Sequence, residues 1–150
     1  MKKLNYFLAT LLLCSFPLIG YTQEAAKPQL VDIGMHDGPV DLLALMNNPL
    51  YKTVFSRKDP AMVAWVRVVN VKKADQQEFV FYSPDGSIYR RAIKETVTEN
   101  HNEWFAVAGY SLRGKDIPKA YDGEWRVVYS IKSDDGPWQE MGETRFSLRN

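Results

Sequence analysis

The sequence has 150 residues, with 19 Lys or Arg and 18 Asp or Glu, so its formal net charge is +1. Hydrophobic residues make up 45% and charged residues 25%, which is typical of a soluble globular domain. The near-neutral balance argues against a nucleic-acid-binding domain, which usually carries a strong basic excess. It also argues against a disordered, highly charged tail.

The N-terminal residues have the pattern of a cleavable secretory signal peptide. Lys2 and Lys3 precede an apolar run over residues 7–20, and Thr22 is small enough to precede a cleavage site. The run has about 14 residues, short of the roughly 20 that a transmembrane helix needs. We therefore expect residues 1–22 to be removed and to leave no stable membrane span. The alternative is an uncleaved membrane anchor.

The cysteine content indicates the compartment. The only cysteine, Cys14, lies within the predicted signal peptide, so residues 23–150 contain no disulfide, thiol nucleophile or cysteine-ligated metal. Small secreted eukaryotic domains usually depend on disulfides. An exported domain without cysteine fits a bacterial protein better, and we predict a periplasmic or secreted location.

The start of the mature chain combines a leader, an edge strand and a helix. Residues 23–30 are polar and predict a flexible leader, so we expect one domain over residues 31–150, which begins with a short edge strand at residues 31–33. The apolar residues near 40–47 recur at helical spacing and predict one short helix. Pro49 favours its end, because the residue before a proline avoids the α region.

The rest of the chain predicts strands at intervals of roughly ten residues, the signature of an antiparallel β-sandwich. Extended segments are predicted over residues 51–55, 61–71, 78–83, 88–97, 104–112, 124–131 and 144–148. Turn residues separate them, as at Pro84-Asp85-Gly86 and Asp134-Asp135-Gly136. The prediction is an all-β fold with about seven or eight strands.

Four sequence segments resemble exported bacterial immunoglobulin-like domains. They are Gly123–Tyr129 (GEWRVVY), Thr144–Leu148 (TRFSL), Val63–Val66 (VAWV) and Ser83–Tyr89 (SPDGSIY). The resemblance covers residues 51–149 and implies an immunoglobulin-like sandwich without implying an activity. Two features depart from it: no cysteine pair joins the sheets, and residues 31–50 match no part of the pattern.

Alternation in the strand over residues 124–131 predicts which side chains are buried. Trp125 shares one face with apolar residues, whereas Glu124 and Arg126 occupy the other, so we expect the Trp125 ring to lie in the core. Trp65 and Phe146 also lie in apolar segments and are predicted to be core residues. Gly123 would let the chain leave the preceding loop at an angle that a Cβ obstructs.

No residue pattern predicts a catalytic, cofactor or metal site. His36 and His101 are far apart in sequence and lack the spacing of zinc ligands. The Asp134-Asp135 pair has the composition of a turn and lacks the alternating ligands of a calcium loop. The sequence contains neither a Gly-x-Ser-x-Gly elbow nor a P-loop. Carboxylate pairs for glycoside hydrolysis depend on spatial distance, so this alternative stays open.

Two aromatic residues are the candidate ligand-binding positions. Trp138 follows the predicted turn at residues 134–136, and Tyr121 lies in a predicted loop, so both rings are expected to be exposed. Exposed rings at a sandwich edge can anchor a protein or stack on a sugar. The leading hypothesis is a non-enzymatic module for protein interaction or envelope assembly. The alternatives are a carbohydrate-binding module that uses Trp138 and Tyr121, and a small hydrolase or metal-dependent enzyme.

Overall fold

The computed structural model describes residues 26–39, 41–49, 51–94, 97–114, 117 and 121–149. The predicted signal peptide, residues 1–22, lies outside this part of the chain. The elements are β1 (Gln29–His36), α1 (Leu42–Asn47), β2 (Val54–Ser56), β3 (Ala61–Val71), β4 (Gln76–Tyr82), β5 (Ile88–Lys94), β6 (His101–Ser111), β7 (Gly123–Lys132) and β8 (Gln139–Arg149).

The strands form two sheets, which confirms the predicted all-β, immunoglobulin-like sandwich. One sheet has three strands in the order β1-β3-β6, and the other has five in the order β2-β8-β7-β4-β5. All pairings are antiparallel except that of β2 with β8. The chain therefore leaves the first sheet after β1, crosses to the second at β2, and returns at β3. The residues between β1 and β2, including α1, make this crossing.

The limits of several predicted strands need correction: β1 extends to His36, β4 begins at Gln76, and β8 begins at Gln139. Residues 29 and 30, assigned to the leader, belong to β1, where they pair with Val69 and Val68. Strand β2 is shorter than predicted and begins at Val54. The described part of β5 ends at Lys94, and residues 95–96 of the predicted strand lie outside the described residues. Strand β6 begins already at His101, where a turn was predicted. Each limit depends on where a neighbouring strand supplies backbone partners, which local residue patterns do not reveal. The helix near 40–47 and the limits of β3 are confirmed.

Trp125 lies in the core between the sheets, as predicted. Its side chain is fully buried, and its ring stacks on Phe146 with centroids 5.9 Å apart. The indole Nε1 donates a hydrogen bond of 2.9 Å to the carbonyl of Tyr121, so the buried polar atom is satisfied. Gly123 has a φ of 137°, and a Cβ there would lie 3.2 Å from Pro84. The expectation that this position needs glycine is confirmed.

A buried hydrogen bond lies near the opposite end of the core. The Tyr129 hydroxyl donates to Oε1 of Gln77 at 2.7 Å, and both side chains are buried. Desolvation raises the pKa of Tyr129, so this hydroxyl keeps its proton and stays a donor. The pair satisfies two polar groups that would otherwise be costly to bury.

A second set of buried side chains lies on the outward face of the three-stranded sheet. Trp65 is only 1% exposed, yet its neighbours Ala64 and Val66 point into the central core, so its ring lies on the outward face. Its partner on β1 is Gly34, where a Cβ would lie 2.8 Å from the indole. Glycine makes room for the ring, and Tyr51 packs against it with centroids 5.5 Å apart. Trp65 is thus buried as predicted, but outside the core between the sheets.

We expect Trp125→Ala to lower the free energy of unfolding by about 3–5 kcal/mol, the usual cost of truncating a buried Trp. The matched control is Trp138→Ala, which removes a ring that is 38% exposed and should cost less than about 1 kcal/mol. Urea unfolding measures both changes. Equal losses in the two variants would contradict the assignment of Trp125 to the core.

Candidate functional site

Trp138 occupies the hairpin between β7 and β8 and is 38% exposed, as the sequence predicted. It borders an open groove of about 400 Å³. The groove is lined by Pro28, Ile131, Ser133, Gly136, Pro137, Gln139 and Met141 together with Trp138. The combination of an indole, two prolines and two uncharged polar side chains gives a surface on which a flat apolar group could rest.

Tyr121, the other predicted position, is half-buried and already engaged. Its ring contacts Tyr89 edge-on at 5.5 Å and Trp125 at 6.0 Å, and its carbonyl accepts the indole hydrogen bond. Tyr89 also contacts Tyr110 at 5.4 Å, and Arg90 lies over the Tyr110 ring at 5.6 Å. The expectation of an exposed Tyr121 ring is therefore wrong. Tyr121 lies against Trp125 and supplies the carbonyl acceptor that a buried indole N–H needs.

The structure separates Trp138 and Tyr121. Tyr121 precedes β7 and Trp138 follows it, so the two residues lie at opposite ends of the strand. Strand β7 has 10 residues, which at about 3.3 Å per residue makes it roughly 30 Å long. A small ligand could not contact both rings.

The two histidines are also far apart, and the Asp134-Asp135 pair lies in the turn after β7. His36 ends β1 opposite Val63, whereas His101 begins β6 opposite Val71, so they lie at different ends of β3. The His36 Nδ1 accepts a 3.0 Å hydrogen bond from the Gly38 amide. In the described residues, no three His, Cys, Asp or Glu side chains are grouped to hold a metal ion. The predicted turn after β7 closes with the Gly136 amide donating to the Ser133 carbonyl at 3.1 Å.

Sequence reasoning missed an exposed apolar surface on the crossing between the sheets. Within the described residues, seven large hydrophobic side chains are exposed, and four of them lie between residues 43 and 54. They are Leu43 at 71%, Met46 at 47%, Tyr51 at 56% and Val54 at 46%. We call these four residues the 43–54 surface. Apolar side chains concentrated in this way often mark an interaction site.

Polar contacts hold this segment against the sheet. The Tyr51 hydroxyl donates to the Asp32 carboxylate on β1, and the Lys52 amide donates to the Met35 carbonyl at 2.9 Å. The Lys52 ammonium pairs with Asp37 and, at 3.0 Å, with Asp59. These contacts connect the segment to β1 and to the turn before β3. The Tyr51 end of the 43–54 surface is consequently fixed on the scaffold.

Charges beneath the 43–54 surface are paired. The hydrogen bond from Lys52 lowers the pKa of Asp37, and the same bond raises the pKa of Lys52. The hydrogen bond to Asp32 raises the pKa of Tyr51. Lys52 therefore stays protonated and Asp37 ionised near neutral pH. A lysine held in this state acts as a fixed cation, whereas a lysine nucleophile needs a lowered pKa.

Helix α1 shows what signal could have revealed the 43–54 surface. Asp41 caps it by accepting hydrogen bonds from the Leu43 and Ala44 amides at 3.0 and 3.3 Å. In a helix of six residues, Leu45 is buried while Leu43 and Met46 are exposed. One short helix can bury only one stripe. Leu43 and Met46 exceed what that stripe accommodates, and this excess of apolar residues was readable from the sequence.

No helix within the described part of the chain has the length and apolar character needed to cross a bilayer. No protein-family model matches the sequence, and no curated protein matches it.

The fold has relatives among solved structures. The C-terminal domain of wzt aligns with a TM-score of 0.50 at 8% identity, covering 82% of this chain and 74% of that one. An immunoglobulin-like protein from Pseudomonas aeruginosa aligns at 0.43 and 14% identity, covering 84% and 99%. A β-glucuronidase from Parabacteroides merdae aligns at 0.46 and 11% identity, and this chain spans only 14% of its length. Of these, the alignment with the wzt domain supports the sandwich fold and nothing beyond it.

The tyrosine cluster predicts a pH dependence. Desolvation and, to a lesser extent, a hydrogen bond with Tyr110 together raise the pKa of Tyr89 to about 12. The ordinary tyrosine pKa is about 10, so the folded state holds the Tyr89 proton more tightly. Its contribution to stability is present below pH about 10 and is lost between about 10 and 12.

We therefore expect Tyr110→Phe to lower the pKa of Tyr89, because it removes the hydrogen bond. NMR titration of the labelled tyrosine ring carbons measures this pKa. Tyr82→Phe, on a different part of the sandwich, is the control and should leave the Tyr89 titration in place. A Tyr89 that titrates near 10 in the unaltered protein would contradict the packing of the cluster.

Proposed function

We propose that this chain is an exported, non-enzymatic binding module that captures a protein partner through the 43–54 surface, in a bacterial periplasm or at the cell surface. The N-terminal pattern of residues 1–22 supports export. The observation that carries the binding role is the concentration of exposed apolar side chains on Leu43, Met46, Tyr51 and Val54.

The composition of the 43–54 surface favours a protein over a sugar. Leucine, methionine and valine supply aliphatic area that can enter the pockets of a partner, and Tyr51 supplies an amphipathic ring. Sugar recognition would call for an open ring face beside several unpaired polar groups. Here the nearest charged groups, Lys52 and Asp37, are paired with each other.

The fixed geometry of the segment supports the same conclusion. Ordering a loose loop on binding would cost conformational entropy. The contacts of Tyr51 with Trp65 and Asp32 hold the crossing in place before any partner arrives. A preformed apolar surface loses less entropy on binding and gains more from each buried side chain.

Carbohydrate binding at Trp138 is the second candidate function. Its support is the groove of about 400 Å³ in which the indole lies with Ser133 and Gln139. The half-buried position of Tyr121 leaves Trp138 as the single exposed ring of the original pair. A ligand at this end of the sandwich would rest on Trp138 alone.

Site-specific photocrosslinking tests the protein-binding role. A photoreactive amino acid is placed at Leu43, or at the control position Ile88, in the full chain expressed in its native cells. Ile88 is a matched control because its side chain is also exposed, at 49%, but lies on β5 and outside the 43–54 surface. We expect a discrete crosslinked protein at position 43 and none at position 88. Met46→Asp should remove that crosslink, because a charge there prevents burial of the apolar surface.

Two outcomes would contradict the proposal. One is crosslinking at position 88 equal to that at position 43, which would show that capture is nonspecific. The other is absence of crosslinking at position 43 together with glycan binding that Trp138→Ala abolishes, which would assign the function to the groove. A glycan array read with the unaltered protein and with Trp138→Ala distinguishes these outcomes.

A further inference from the structure

We propose that β6 is the edge through which two copies of this chain pair, antiparallel, into one continuous six-stranded sheet. Strand β6 ends the order β1-β3-β6, so within the described residues no strand pairs with its outer side. This inference concerns a different edge from the 43–54 surface and does not depend on the proposed function.

The other three sheet edges carry features that oppose pairing. Strand β1 has a register shift between Leu30 and Asp32, and β2 has only three residues. Strand β5 has the consecutive cations Arg90 and Arg91. Bulges, short length and positive charge are the usual devices that protect an edge strand from another chain.

Strand β6 has none of these features. It extends over 11 residues, contains no Pro, Lys or Arg, and keeps one unbroken register with β3 from Ser111 to His101. Its exposed or half-buried residues include Phe105, Val107 and Gly109 on the outward face. A long, regular edge without lysine, arginine or proline is a template for a further strand.

The sequence of β6 is complementary to itself in one antiparallel register. When two copies are centred on Ala106, Trp104 lies opposite Ala108 of the second copy, and Phe105 lies opposite its Val107. Large side chains then face small ones on both faces, which suits cross-strand packing. Glu103, the only carboxylate of β6, lies opposite glycine, so no like charges meet.

The dimer leaves the proposed binding surface free. Tyr51 lies over Trp65 on the outward face of the sheet and contacts Asp32 on β1, whereas the proposed pairing uses the outer side of β6. Pairing through β6 therefore presents two 43–54 surfaces, one on each copy. A partner with two sites would be bound with avidity.

Sedimentation analysis of protein purified after expression of the full gene tests the pairing. We expect a concentration-dependent dimer that Phe105→Lys or Val107→Asp weakens by at least about tenfold in its dissociation constant, because each variant places an unpaired charge at the edge. Ile88→Lys, on β5, is the matched control and should leave the dimer intact. Circular dichroism establishes that each variant keeps its strand content.

Mixing the two single variants tests the register. Lysine from the Phe105→Lys copy would lie opposite aspartate from the Val107→Asp copy, so we expect the mixture to dimerise more tightly than either variant alone. A monomer at all concentrations of the unaltered protein would overturn the proposal. So would a dimer that Ile88→Lys weakens as much as Phe105→Lys, or a mixture of the two variants that stays monomeric.

Discussion

The need to bury the Trp65 indole on the outward face of β3 is the constraint on which the rest of the molecule depends. Trp65 lies on the far side of the sheet from the core, and leaving so large an apolar group in water would be costly. Gly34 makes room beneath the ring, and Tyr51 covers it. The chain between β1 and β2 must therefore cross over this face before it joins the second sheet. That path determines where α1 and its exposed Leu43 lie.

The core between the sheets supplies the rigidity that this outer layer needs. Trp125, Phe146 and Tyr129 fill it, and their polar atoms are satisfied through a carbonyl and a buried amide. Strands β3 and β7 each have another strand on both sides. The functional surfaces are consequently all peripheral: the 43–54 surface, the Trp138 groove and the β6 edge. The interactions that stabilise the fold are therefore separate from the residues proposed to bind.

The sequence predicts which side chains are buried in a strand where polar and apolar residues alternate. It leaves open the features that depend on contacts with other strands or loops. Trp125 alternates with Glu124 and Arg126, so its face was predictable, and it is the buried one. Strand β3 is apolar at nearly every position, so its pattern could not say on which face Trp65 lies. Tyr121 is in a loop, but the buried indole of Trp125 binds its carbonyl, a contact that no local pattern encodes. The open edge of β6 follows from the strand order, which becomes visible only once the pairings are known.

Amide hydrogen exchange in Tyr51→Ala tests most directly whether the outer layer fixes the 43–54 surface. The account predicts faster exchange at the Lys52 amide, which bonds to the Met35 carbonyl, and at the Asn48 amide, which bonds to the Ala44 carbonyl. The amides of β7 should keep their protection, because the core is intact. Unchanged exchange at Lys52 and Asn48 would contradict the account, as would an equal loss of protection throughout β7.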